Sequence, residues 1–369
     1  MEKTVTILPV EEIDIPAPWP GANRNLLGLS GSWVDPLKRL SIFDPDEFET
    51  FTLQWANEYL PKKYHQVQKR GGAGDKGRDI VAWIDPPKTK NAKWDNYQCK
   101  HYKNALTPSE MWLEFGKLCY YTFHNHFTIP QNYFIVSPNG PGTKLQDMID
   151  NSESLRKGLL SNWKKHCENK ITNTINVPLD KKLEAYIQSF DFSIVSALLP
   201  HELVEQHSQT KYHSYVFGTK LKPRPDSPKP PTNITAKETK YVEQIFKAFA
   251  DHLKCEVKER TSFADKKNLT HAFDHARESF YSAESLKEFA RDNLPDEGYF
   301  TDLLTQFLDG LQITLYQTHK DGYERMMATS KHASQLQIDA NILRDTLRPN
   351  DRVGICHHLA NEDKLRWVD

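Results

Sequence analysis

Apolar positions along the chain change period more than once. Over residues 44–60 they recur at helical spacing, with Phe48, Phe51, Trp55 and Tyr59 on one stripe, which predicts an amphipathic helix facing a core. Asp44 as N-cap, Pro45 in the first helical position and Glu47 closing a capping box mark its start. Glu49 falls on the neighbouring stripe with Leu53, Ala56 and Leu60. A carboxylate heading an apolar stripe belongs at the rim of a core, where a metal or another cation compensates it. The period then shortens. Residues 79–85 (DIVAWID) and 94–100 (WDNYQCK) are rich in β-branched and aromatic side chains and predict two strands joined by a polar loop. Thr107, Pro108 and Glu110 form a second capping box, opening a helix to about Phe123, and residues 132–137 (NYFIVS) predict a further strand. The order helix, strand, strand, helix, strand predicts an α/β fold: an α/β/α sandwich around a mixed sheet.

Breaks in the pattern divide the chain. Residues 1–40, rich in Pro, Gly and Asn, read as an N-terminal arm, and residues 41–200 as the α/β domain. Residues 220–232 (KLKPRPDSPKPPT) carry five prolines, which lack the donors and the freedom for helix or sheet, so 201–235 reads as an extended connector. From 236 to 369 the pattern is helical. Phe300, Leu303, Leu304, Phe307, Leu308 and Leu311 form a stripe at i, i+3, i+4, i+7, i+8, the mark of a bundle core. With no catalytic constellation, this domain reads as a partner-docking module.

Composition narrows the function classes. Of 369 residues, 38% are hydrophobic and 26% charged, as in ordinary globular proteins, and the net charge of −1 makes no whole-chain case for a polyanionic partner. Locally the case differs: residues 61–105 hold 11 Lys/Arg against 4 Asp/Glu, a net of +7. Any single lysine here, such as Lys62, Lys63, Lys69, Lys88, Lys90 or Lys93, need be no more than solvated surface. As a group, Lys69, Arg70, Lys76, Arg78, His101 and Lys103 flank the strands and are the candidate DNA-contacting residues. The five cysteines are scattered and form no C-x-x-C pair, which argues against a disulfide framework and fits a reducing compartment, so a cytoplasmic location is expected. No secretion signal is read at residues 1–10, and no stretch approaches the ~20 apolar residues of a membrane span. Cys356, His357, His358 and Asn361 include zinc-ligand types, but adjacent histidines point apart on a regular element and no second cysteine joins them, so packing or an interface hydrogen bond is expected.

The two short strands carry the candidate chemistry. If they form a hairpin closing near Thr89 and Lys90, Asp79 stands opposite Lys100 and Val81 opposite Gln98, with Gln98 and Lys100 on one face. A slip of one residue would break this alignment. An acid, an amide and an ammonium at the open end of a hairpin suit phosphodiester hydrolysis. Asp79 would anchor a hard cation such as Mg²⁺ or Mn²⁺, with the Gln98 amide oxygen, the Cys99 backbone carbonyl and Glu49 as further ligands. Lys100 would orient or deprotonate the attacking water and offset charge on the phosphate. The glycine-rich stretch 71–77 permits close approach of backbone to ligand. The Cys99 thiol, pointing away from Lys100, belongs to the core.

These residues also resemble a known family. FE (Phe48, Glu49), GDKGRDI (74–80) and QCKHY (98–102) resemble the Mrr-type restriction endonucleases of the PD-(D/E)xK class, which place an acid on the leading helix, GxDxGxD before a strand and QxK at the end of the next. The resemblance spans about residues 41–140. It implies a restriction-endonuclease-like fold, with Asp79, Gln98 and Lys100 as catalytic core, Glu49 as helix acid, and double-stranded DNA as substrate. Gln98 in place of an acid leaves fewer negative ligands. The remainder, including PHELVEQH (200–207), ARESFYSAESLKEFARD (276–292) and DRVGICHHLANEDKLRWV (351–368), resembles the C-terminal domain of ABC-three-component proteins. A nuclease head on such a tail is similar to the nuclease subunits of Lamassu systems. That implies an anti-phage or anti-plasmid effector working with an SMC-like ATPase and a small middle subunit, and oligomerising when active. The competing expectations are an inactive DNA-binding scaffold and an RNA-cutting toxin.

Overall fold

The computed structural model describes residues 34–70, 74–219, 221–296 and 298–368. Most of the expected N-terminal arm, residues 1–33, and part of the glycine-rich stretch, 71–73, lie outside the described residues. The chain forms two compact units, which meet in sequence at residues 217 and 218.

The first unit opens with a short helix, α1 (Pro36–Ser41), and then α2 (Pro45–Glu58). The Asp44–Glu47 capping box forms as expected, each residue's side chain bonding the other's backbone N–H at 2.8 Å. Phe48, Phe51, Trp55 and Tyr59 are buried. Five strands follow: β1 (Gln66–Lys69), β2 (Ile80–Trp83), β3 (Trp94–Cys99), β4 (Asn132–Val136) and β5 (Val195–Leu198), in spatial order 1-2-3-4-5. β2 runs antiparallel to its neighbours β1 and β3, whereas β3, β4 and β5 are parallel, so the sheet is mixed. The parallel steps require crossovers. β3 returns to β4 through α3 (Pro108–Phe123), and β4 reaches β5 through α4 (Thr143–Asp150), α5 (Ser152–His166) and α6 (Lys181–Ser189).

Alternation along the strands assigns helices to the two faces. Tyr97 of β3 meets Trp55 of α2, ring centroids 5.1 Å apart, so α2 covers one face. Tyr133 of β4 meets Phe115 of α3 at 6.1 Å on the other, within a core shared with α5 and α6. The layers are α/β/α. Strands β1 and β5 have no apolar alternation of their own: their burial patterns are irregular, and the sheet recruits them by pairing. After β5, α7 (Pro200–His207) and α8 (His213–Phe217) fold back, and the His207 ring stacks on Phe51 of α2 at 4.2 Å.

The second unit is helical: α9 (Thr239–Leu253), α10 (Lys267–Asn293), α11 (Gly298–Tyr316), α12 (Gly322–Gln335) and α13 (Pro349–Asn361). The α11 stripe is buried as expected, apart from the partly exposed Leu308. α10 and α13 cross so closely that a Cβ on Gly354 would lie 1.9 Å from the Ser279 carbonyl oxygen, so only glycine fits there. The proline-rich segment is not a free spacer. The Arg224 guanidinium bonds Asp351 in a fully buried ion pair, and Arg277 of α10 holds Glu238 and the carbonyls of Pro231 and Asn233. The stretch expected as connector is therefore divided: 201–217 packs in the first unit, and from 218 onward the chain belongs to the second. No helix among the described residues is long and apolar enough to cross a membrane.

Candidate active site

The β2–β3 hairpin brings the predicted acid and amide together, by a different register. Ile80 pairs with Tyr97 and Trp83 with Trp94, so continuing one step places Asp79 beside Gln98 rather than Lys100. The offset from the expected closure is two residues. Side chains alternate with period two, so the offset keeps every residue on its expected face. The large indoles of Trp83 and Trp94, 5.9 Å apart, fix this pairing across the strands.

Gln98 Nε2 donates to Asp79 Oδ2 at 2.7 Å, and the Cys99 backbone N–H donates to the same oxygen at 2.8 Å. Asp79 Oδ1 accepts no hydrogen bond among the described residues. Gln98 Oε1 instead accepts, at 3.4 Å, from the Tyr133 hydroxyl. As oriented, the amide nitrogen rather than its oxygen faces the acid. Burial pushes the Asp79 carboxyl up to about 6, reinforced by Glu114 and Asp75 and opposed by Lys100 and the Cys99 N–H.

Lys100 extends β3, its backbone N–H bonded to the Val136 carbonyl at 2.8 Å, and its ammonium reaches Glu114 of α3, also at 2.8 Å. Burial alone would lower the Lys100 ammonium, but the Glu114 and Asp79 carboxylates outweigh it and hold it above the ordinary lysine value. Lys100 is thus a fixed cation, suited to holding a phosphate oxygen or a water rather than accepting a proton. Glu114, with a side chain 4% exposed, also pairs with Lys117 at 3.3 Å.

Glu114 was not singled out in the sequence, though a signal is present. It is a carboxylate on the apolar face of α3, among Met111, Phe115, Leu118 and Cys119. The same reasoning selects Glu49 from the sequence, and the structure places that residue apart from the site. The Glu49 side chain is 59% exposed and bound to Lys69, and it makes no hydrogen bond or ion pair with Asp79, Gln98 or Lys100 among the described residues. It belongs to α2, across the sheet from α3, and its charge is felt at the Cys99 thiol. That thiol, on a residue only partly buried, is pushed well above its ordinary value by desolvation, then by Asp79, so it stays protonated.

The loop before β2 is shaped by Gly77. Its φ of +80° is one that side-chain-bearing residues rarely adopt, and an added Cβ would lie 3.0 Å from Lys117 Cβ and 3.3 Å from Glu114 Oε2. The Asp75 side chain caps the turn by accepting the Gly77 N–H at 2.8 Å.

The candidate DNA-contacting residues separate into three groups. Lys69 pairs with Glu49 at the surface, and the partly buried His101 bonds the Phe43 carbonyl at 2.6 Å. Lys103 is exposed, in a loop pinned by Asn139. Arg70, Lys76 and Arg78 gather around a cavity. Burial, then Arg70, push the Arg78 guanidinium down to about 10, and burial with Arg78 lowers Lys76.

No group of three His, Cys, Asp or Glu side chains able to hold a metal occurs among the described residues. This includes the tail, where burial drives His357 down to about 3 and His358 to about 4; both stay neutral, and His358 stacks on Phe280 at 4.4 Å. At the hairpin the oxygen on offer among the described residues is the free Oδ1 of Asp79, since Gln98 turns its amide nitrogen to Asp79 and its oxygen to the Tyr133 hydroxyl. That arrangement fits a hard cation that keeps several waters and takes substrate oxygens, and does not fit a closed structural site.

The helical unit settles part of the chain's affiliation. Residues 238–367 match C-terminal domain 6 of the ABC-three component (ABC-3C) systems. The CTD6 match runs from Glu238, which anchors α9, through α13 to Trp367. It ties the chain to a multi-subunit, defence-related system. No curated protein and no solved structure matches the chain.

Proposed function

We propose that the chain is a metal-dependent DNA endonuclease, the effector component of an ABC-3C defence system. The observation that carries this reading is the convergence, at one end of a mixed sheet, of Asp79, Gln98, Lys100 and Glu114, with Asp79 presenting one unpartnered carboxylate oxygen. A bound Mg²⁺ or Mn²⁺ would supply Lewis acidity toward a phosphate oxygen and a water more readily deprotonated than in bulk. The chain's own groups do the rest. Gln98 and the Cys99 N–H fix the Asp79 carboxylate. Glu114 holds Lys100 in its charged form, so the ammonium neutralises charge growing on the phosphate and orients the attacking water. Lys100, rather than acting as a base, acts as a positioned cation.

The CTD6 region supports a docking role for residues 218–369 toward an SMC-like ATPase and a small middle subunit, with release or self-assembly bringing two nuclease units to one duplex. Gln98, which turns its amide nitrogen toward Asp79, favours a second reading: a DNA-binding subunit of the same fold that does not cut.

One assay decides between them. Purified full-length chain is incubated with supercoiled plasmid, and separately with RNA, in Mg²⁺ or Mn²⁺. Cleavage of DNA is expected, with Lys100→Ala and Asp79→Asn slower by a factor of roughly 100 or more and Glu114→Gln reduced less. Equal cutting by the Lys100→Ala protein ends the catalytic assignment. Binding without cutting under every metal condition, alone and with the partner subunits, supports the second reading. Preferential cutting of RNA overturns the DNA assignment.

A further inference from the structure

On the α3 side of the sheet, the hairpin face continues away from Asp79 through Val81 to Trp83 and Trp94, where a cavity of about 330 Å³ opens. Its apolar wall is aromatic. Trp94 meets Trp83 at 5.9 Å and Phe127 at 5.8 Å, edge to face. Its polar lining is entirely cationic or neutral: Arg70, Lys76, Arg78, Lys88, Lys90 and His126 contribute, and no carboxylate does.

Arg78 is the central member. It is 7% exposed, stands 4.3 Å over the Phe127 ring and bonds the Asp75 carbonyl through Nε. Its terminal nitrogens bond no other described residue. Arg70 Nε is buried, also without a partner among the described residues. The Lys76 ammonium bonds His126 Nδ1 at 3.0 Å, Arg70 Nη2 reaches Gln68 Oε1 at 3.5 Å, and Asp75 offsets Arg78 only in part, so two guanidinium groups and an ammonium stay crowded beside the cavity with donors left over for an anion. An aromatic wall beside such donors selects a ligand with a flat ring and a phosphate. The volume is at the small end for ligand pockets, near 300 Å³, which suits one nucleotide and excludes larger cofactors.

We propose that this cavity binds a single nucleotide, its base against Trp83, Trp94 and Phe127 and its phosphate on Arg70, Lys76 and Arg78. The nucleotide has two possible sources: a free nucleoside monophosphate, or one residue of a DNA strand drawn out of its stack. Val81 is two residues from Asp79 and Trp94 four from Gln98, so at ~3.3 Å per residue the cavity begins roughly 7–13 Å from the site. A strand at the site would therefore present a neighbouring nucleotide to it. Only this strand-borne source rests on the cleavage reading; the cavity and its chemistry do not.

The test uses the full-length Lys100→Ala protein, so cleavage plays no part in the readout. Quenching of tryptophan fluorescence and calorimetry are followed with the four deoxynucleoside monophosphates, with inorganic phosphate, and with matched duplexes carrying or lacking one extrahelical nucleotide. At least one monophosphate is expected to bind at least tenfold tighter than phosphate, or the extrahelical duplex at least tenfold tighter than its matched partner. Adding Arg78→Gln should remove the difference. Thr89→Trp, which fills the cavity from its exposed loop, should do the same without touching a charge. Binding of the monophosphate assigns the free source, and preference for the extrahelical duplex alone assigns the strand. Phosphate binding as tight as the monophosphate, or neither preference, overturns the proposal. So does a preference that survives both substitutions in proteins with unchanged circular dichroism.

Discussion

Asp79 is ionised against the preference of its surroundings. Its carboxyl rises from 3.8 to about 6 because burial outweighs Lys100 and the Cys99 N–H. A folded-state value above the unfolded one means that folding favours the protonated form. The contribution of Asp79 to stability is therefore greatest below pH ~4, declines as the pH climbs from ~4 to ~6, and is flat above, a total of roughly 3 kcal/mol for this one group. In the absence of divalent ions, Asp79→Asn should be more stable than the parent at pH 7.5 by up to that amount, and nearly equal to it at pH 4. Urea denaturation at the two pH values checks this. A parent and variant with parallel pH profiles would remove the burial argument. Added Mg²⁺ should raise the parent's midpoint and leave the variant's unchanged. At this scale the sequence was informative about residue types and less so about which helix acid takes part. Glu49 and Glu114 each break an apolar stripe, but a stripe shows only that a carboxylate lies near a core. Lys69, the last residue of β1, claims Glu49, and no local rule announces a strand recruited by pairing.

The hairpin and its preceding loop act as a unit. The two strands were legible from their β-branched and aromatic residues, and the capping boxes of α2 and α3 from their spacing. The register was not, because ten loop residues between Trp83 and Trp94 leave the pairing to the strands themselves. Face assignment survived only because the error was even. Gly77 ties this hairpin to α3. Gly77→Ala should lower stability by roughly 1–3 kcal/mol, through a strained φ and contact with Lys117 and Glu114. It should also slow any cleavage by shifting Glu114. Gly74→Ala, where an added Cβ meets no described residue within 4 Å, is the matched control and should melt like the parent. Equal melting of the two variants would contradict the close approach.

For the whole molecule, the division of the chain into an α/β part and a helical part was legible from the change of period, but its boundary was blurred by the prolines. Proline excludes helix and sheet without excluding packing. The fold places the change at residues 217 and 218, since α7 returns to α2: Leu203 and His207 are fully buried, and Trp55 Nε1 donates to Gln206 Oε1 at 3.0 Å. A chain ended after residue 217 should keep a cooperative melt of the first unit. One ended after residue 199 uncovers Phe51 and Trp55 and should melt lower by roughly 10 °C or more. Calorimetry of the two truncations distinguishes them, and equal melting would mean that α7 contributes nothing to that core. The proline run, meanwhile, is fastened at both ends by guanidinium groups, Arg224 gripping Asp351 and Arg277 gripping the carbonyls of Pro231 and Asn233. A protease that nicked the exposed stretch between Ser227 and Pro230 would leave two fragments, neither of them loose. Each new end would stay laced to the bundle, and the scar would show on a denaturing gel long before it showed in shape.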